Sequence, residues 1–147
     1  MILLDTCVIS EVLRPNPSPN VIAWLDSVPE EQVHLPTIVL GELEKGVELL
    51  PDGAKRTALR VWLEQLRQRF QERIVSFDEE TAVRWGDLAA EAQTSGHPLP
   101  VIDALIAATA LQHAALLATR NVVDFRNTGV EIVNPWEGKT KRRCDFL

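Results

Sequence analysis

The chain has few of the residues that announce a function by themselves. Its 147 residues include only two cysteines, Cys7 and Cys144. One lies in an apolar stretch and the other in a polar tail, which makes neither a disulfide framework nor a metal-ligand spacing. They read as the reduced thiols of an intracellular protein. His34, His97 and His113 also lack ligand spacing. No apolar run approaches the roughly 20 residues of a membrane span. The opening Met1-Ile2-Leu3-Leu4-Asp5 carries no basic leader region. A cytoplasmic protein is therefore expected. Positive charge is not in excess either: 15 Lys and Arg face 21 Asp and Glu, a net charge of −6. That balance argues against a protein that coats nucleic acid by charge alone. With 46% hydrophobic and 24% charged residues, collagenous and disordered chains are excluded. Covalent catalysis finds little support, since Cys7 has no nearby histidine and Ser10 no evident base.

What is present is an alternation of short apolar runs with helix-period segments. Strands are expected at 2–4, 32–35, 74–75, 115–118 and 130–133. Between them, helices are expected at 6–13, 20–27, 37–50, 55–73, 79–94 and 100–113, with Thr37 and Asp78 as N-caps. Leu40, Leu43, Val47 and Leu50 form one inward face, and Val83, Leu88 and Ala92 another. The pattern predicts an α/β fold: a three-layer α/β/α domain with a mainly parallel central sheet. One domain over 1–138 is expected, followed by a mobile basic tail over 139–147. Removing the four basic and one acidic residue of that tail takes the body from −6 to −9. In such sheets the functional crevice lies beyond the carboxyl ends of the strands, where strand order reverses.

Three acids stand out by isolation. Asp5 is the only charged residue in 1–10, Glu42 the only one in 32–43, and Asp103 the only one in 92–119. A carboxylate in so apolar a setting is costly unless paired, hydrogen-bonded or metal-bound. Asp124, just after the fourth strand, is a further candidate, with Thr119 and Asn121 as polar neighbours. Taken singly, Asp5 and Asp103 also suit helix caps or dipole partners. Glu42 also suits a side chain reaching water, and Asp124 a turn cap. Taken together, four carboxylates at one end of a sheet repel. With no basic residue close in sequence to the first three, a hard divalent cation is the natural counter-ion. Oxygen-only ligands select Mg²⁺ or Mn²⁺. Such a site suits phosphodiester hydrolysis, because a metal supplies hydroxide and neutralises the scissile phosphate.

These segments carry a resemblance. The run 1–11, the helix holding Glu42, Asp103-Ala104-Leu105-Ile106, Thr119-Arg120-Asn121-Val122-Val123-Asp124-Phe125 and Asn134-Pro135-Trp136 together resemble the PIN-domain family. More narrowly, the chain resembles its VapC/FitB-type toxins of type II toxin–antitoxin systems, from Met1 to about Gly138. The resemblance implies a metal-dependent endoribonuclease with Mg²⁺ or Mn²⁺. It implies a small antitoxin that neutralises the enzyme, a homodimer, and operator DNA bound only through the antitoxin. By it, Asp5, Glu42, Asp103 and Asp124 are the metal-binding and catalytic acids. Thr6, Thr119 and Asn121 are the supporting polar residues. Cys7 departs from the Asn common at its position.

Arg14, Arg120 and Arg126 are candidate contacts to RNA phosphates. Val21, Trp24 and Leu25 with the 40–50 helix are a candidate antitoxin groove. A DNA-directed or structure-specific nuclease would use the same acids. A Mg²⁺-binding phospho-acceptor domain wants an acid pair and a lysine at the strand ends, which are missing. A catalytically silent interaction module would not need all four acids.

Overall fold

The computed structural model of the chain describes residues 1–138. The basic stretch expected as a tail, 139–147, lies outside them. Among the described residues, five strands form one sheet: β1 (Ile2–Leu4), β2 (Val33–Pro36), β3 (Ile74–Val75), β4 (Leu116–Ala118) and β5 (Ile132–Val133). Their order is β3-β2-β1-β4-β5, and every neighbouring pair is parallel. The expected sheet is thus wholly parallel rather than mainly so. Leu3, Leu35 and Leu117 have no exposed surface. A strand covered on both faces needs apolar residues in both directions, which is why these runs do not alternate.

The helices are α1 (Thr6–Val12), α2 (Pro19–Ser27), α3 (Thr37–Glu48), α4 (Ala54–Arg69), α5 (Glu79–Thr94), α6 (Val101–Gln112) and α7 (Val122–Phe125). From β1 the chain steps outward through β2 to β3. It then crosses back to lay β4 against the other side of β1, and continues to β5. Right-handed crossovers put the helices of these opposite steps on opposite faces of the sheet, which gives the three layers. The reversal makes the β1–β4 pair the switch point. There Leu4 pairs with Ala118, and the Asp5 N–H donates to the Ala118 carbonyl at 3.0 Å.

Several local expectations are corrected. Thr37 is the first residue of α3, after Pro36 as N-cap, because its hydroxyl accepts from the Phe77 N–H at 3.3 Å instead of capping. The long helix stops at Arg69 and gives way to a tight turn over 71–73 that buries Phe70 against the core. Val83 is 63% exposed; the buried face of α5 is set by Thr81 and Leu88. The Asp78 cap forms as expected, its Oδ1 accepting from the Thr81 N–H at 2.9 Å. The short α7, which carries Asp124, is not signalled by periodicity at all.

Candidate active site

Asp5 leaves β1 as the N-cap of α1, so its side chain sits where the sheet ends and a helix dipole begins. It is only 7% exposed. Its Oδ1 accepts from the Thr6 N–H at 2.8 Å, and its Oδ2 from the Thr119 hydroxyl at 2.7 Å. Thr119 follows β4 directly, is fully buried, and hangs from the Val133 carbonyl by its own N–H at 3.0 Å. The end of β4 therefore holds the acid at the end of β1. Cys7 adds a third tie. Its thiol lies 3.6 Å from Asp5 Oδ2 and 3.7 Å from Thr119 Oγ1, and accepts the Arg120 N–H at 3.5 Å. Burial, and then the charge on Asp5, push the Cys7 thiol above its ordinary range. It is a packed donor, not an activated nucleophile.

Glu42 reaches the same place from α3. Its Oε1 accepts from the Thr6 hydroxyl at 2.7 Å, so one threonine links two acids through its N–H and its O–H. Asp103 comes from the first turn of α6 and is half-buried. Its carboxyl is pushed from 3.8 up to about 6, first by burial and then by the charges on Asp5, Asp124 and Glu42. Asp124 on α7 accepts from the Asn121 amide at 2.6 Å. Among the described residues, no ion pair involves any of the four acids. Asp5, Thr6, Glu42, Asp103, Arg120 and Asn121 all border one open cleft of about 600 Å³. Asp124 acts on it through its charge, and Thr119 from behind Asp5.

Among the described residues, no three His, Cys, Asp or Glu side chains close on a common point. Uncompensated carboxylates repel, and Thr6, Thr119 and Asn121 each tie one back. The donor set nevertheless fits a hard divalent cation. Every donor is an oxygen, no amine competes, and the field of the other three acids already weakens the charged form of Asp103.

The three candidate arginines separate. Arg14 lies 3.5 Å from buried Glu11, whose other oxygen accepts the Ser18 N–H at 2.9 Å. Arg14 thus takes the alternative role of pairing with a nearby acid, and the Ser18 bond to Glu11 anchors the proline-rich connector. Arg126 is exposed and does not border the cleft. Arg120 does. The expected groove also divides: Val21 is fully buried, while Leu25 and Leu40 open on separate hollows, each shared with α4.

A family model described as "PIN domain" matches residues 2–131. The chain belongs to the PIN-domain family. Among its PIN relatives, "Toxin FitB" of Neisseria gonorrhoeae is 45% identical over 137 residues, covering 92% of this chain and 99% of the relative. "VapC ribonuclease Y4jK" of Sinorhizobium fredii is 38% identical over 138 residues, covering 93% and 99%. The solved structure of FitAB bound to an IR36 DNA fragment superimposes with a TM-score of 0.90 at 42% identity, over 96% of this chain and 99% of that one. The α/β/α architecture is therefore that of a known PIN protein along nearly its whole length.

Proposed function

We propose that this PIN domain, residues 1–138, is a divalent-metal-dependent endoribonuclease and the toxin of a type II toxin–antitoxin pair. The observation that carries the reading is the convergence of Asp5, Glu42, Asp103 and Asp124 on one end of a parallel sheet, with no cation paired to them among the described residues. Support for the substrate class comes from relatives described as a toxin and as a VapC ribonuclease, both matched along almost their full length. A partner protein and DNA in the complex are supported by the likeness to FitAB bound to an IR36 DNA fragment; the proposal takes the partner as an antitoxin, the DNA as an operator held through it, and the toxin as a homodimer. Among the described residues no helix is long and apolar enough to cross a membrane; a cytoplasmic location is part of the proposal.

Mg²⁺ or Mn²⁺, bound by Asp5, Glu42, Asp103 and Asp124, would supply an activated water and neutralise charge on the phosphate. The chain's own residues prepare for this. Thr119 and Cys7 hold Asp5 Oδ2, and the Thr6 N–H holds Oδ1, so the most buried of the four acids is fixed in place. The Thr6 hydroxyl sets Glu42, and Asn121 sets Asp124. Burial and the neighbouring acids hold the Asp103 carboxyl up at about 6, so a cation held there would favour its charged form.

The test compares wild type with Asp103→Asn on a panel of RNAs and DNAs, with Mg²⁺, with Mn²⁺ and with EDTA. The reading predicts RNA cleavage that needs metal and falls at least about a hundredfold in the variant. Equal activity of the variant, cleavage that persists in EDTA, or cleavage of DNA alone would contradict it.

A further inference from the structure

Arg120 is the one cationic side chain bordering the acidic cleft among the described residues. Many other arginines are committed elsewhere: Arg14 to Glu11, Arg56 and Arg60 to Glu48, Arg67 to Glu64, and Arg69 and Arg73 to Glu30. No ion pair among the described residues involves Arg120. Its guanidinium instead lies over the Trp136 ring, with Cζ 5.3 Å from the ring centroid. A cation–π contact of this kind uses none of the guanidinium N–H donors, and the Arg120 side chain makes no hydrogen bond among the described residues, so its donors stay free for acceptors.

Both halves of this stack are fixed from behind. The backbone around Arg120 is pinned at three successive residues. Thr119 N–H donates to the Val133 carbonyl at 3.0 Å, Arg120 N–H to Cys7 Sγ at 3.5 Å, and Asn121 N–H to Thr119 Oγ1 at 3.0 Å. Trp136 is pinned on both sides of its peptide. Its N–H donates to Asn134 Oδ1 at 3.0 Å, and its carbonyl accepts from the Asn20 amide at 2.8 Å. Gly138 then turns away at a φ of +71, where a Cβ would sit 3.5 Å from the Asn20 amide group. An exposed arginine ordinarily loses much side-chain freedom when it grips a ligand; here the indole has already removed part of that cost.

We propose that Arg120, stacked on Trp136, is the clamp for an RNA phosphate neighbouring the scissile one, and that Trp136 is its positioning residue. The proposal rests on the nuclease reading for its substrate class. A cleft lined by three carboxylates, with a fourth close by, repels a polyanion except where a bound metal or a fixed cation stands. Arg120 is such a cation at the rim, and a guanidinium edge matches two phosphate oxygens at once.

The test is binding rather than turnover. A labelled single-stranded RNA of random sequence is titrated by fluorescence anisotropy in the Asp103→Asn background in EDTA, between 50 and 200 mM salt (about the range over which phosphate contacts register). Arg120→Ala should raise the dissociation constant about tenfold and flatten the logarithmic salt slope by about 0.7, one phosphate contact on a single strand. Arg120→Lys should restore part of the affinity, since it keeps the charge but not the planar fork. Trp136→Leu should weaken binding about threefold beside Arg120 and not at all beside Arg120→Ala, as expected of a residue acting through another. Unchanged affinity and slope in Arg120→Ala, an exposed position whose loss leaves the fold intact, would overturn the clamp. So would an equal loss from Trp136→Leu in both backgrounds, which would mean that the indole meets RNA by itself. Failure of the wild type to cleave RNA would sink the nuclease reading, while the anisotropy result decides the clamp in either case.

Discussion

Asp103 is the residue on which the electrostatics of the cleft can be read most simply. Its folded value of about 6 lies above its ordinary 3.8, so the native state binds more protons than the unfolded chain between those values. The contribution of Asp103 to the stability of the metal-free protein must then fall as pH rises from about 4 through about 6, and the penalty stays in place above that. Asp103→Asn removes the charge. Thermal melts in EDTA should show the variant melting above wild type at pH 7.5, with the difference shrinking toward pH 4; a variant that melts lower at pH 7.5 would contradict the repulsion. Thr119 makes the complementary case. Thr119→Val keeps the shape but removes the donor to Asp5 Oδ2. Loss of a hydrogen bond behind a metal ligand typically costs tenfold or more in metal affinity. The Mn²⁺ concentration for half-maximal cleavage should rise about tenfold, with the maximal rate less affected.

Asp5, Glu42 and Asp103 were legible in the sequence because each stands alone in an apolar run, where an unpartnered charge is costly; Asp124 was read only from its place after the fourth strand. Their small partners were only partly legible. Thr6 and Thr119 stand beside the acids in sequence or in the resemblance, but no spacing says that Thr6 bridges to Glu42, 36 residues away. Nor does any spacing say that Cys7 joins Asp5 to Thr119. Those contacts depend on the order of strands in the sheet, which only tertiary structure supplies.

At the scale of elements, the junction of α6 and β4 carries visible strain. Ala114 has a φ of +48, the one non-glycine residue with positive φ among those described. It forms the turn that returns Ala115 N–H to the Ala110 carbonyl at 2.9 Å and delivers β4 to its place beside β1. A side chain in this region costs about 1–2 kcal/mol, which glycine avoids at some expense in unfolded-chain entropy. Ala114→Gly should therefore stabilise the protein by about 0.5–1 kcal/mol in urea unfolding. Equal or lower stability would show that the turn is held without strain.

Most helices could be placed from their 3.6-residue period and their breakers, and the errors have specific causes. The end of α4 was overrun because Phe70 stays buried in the turn that follows, so the apolar pattern continues past the helix. Val83 fits the helical period but faces out, since α5 needs only one stripe to pack along α6. α7 is too short to show a period.

For the whole molecule, net charge is a poor guide to its partner. The chain totals −6, yet three of its acids lie close enough to Asp103 to raise its carboxyl, after burial. A metal held in the cleft as proposed would bind the folded state alone, and that linkage would raise stability. Saturating Mn²⁺ should raise the melting temperature of wild type by several degrees and that of Asp103→Asn by much less. Screening by 0.5 M NaCl, about 4 Å in Debye length, should recover only part of that gain, since half-buried charges are screened weakly. Equal shifts in the two proteins would place the stabilising metal elsewhere.

The central claim, that Asp5, Glu42, Asp103 and Asp124 form one metal-dependent cleft at the β1–β4 switch point, has a direct measurement. Crystals soaked in Mn²⁺ and recorded at a wavelength where manganese scatters anomalously would locate the ion without reference to activity. The account predicts an anomalous peak between the Asp5 and Asp103 carboxylates, lost in Asp103→Asn crystals. A peak confined to other acids, or no peak in the cleft at saturating Mn²⁺, would contradict it.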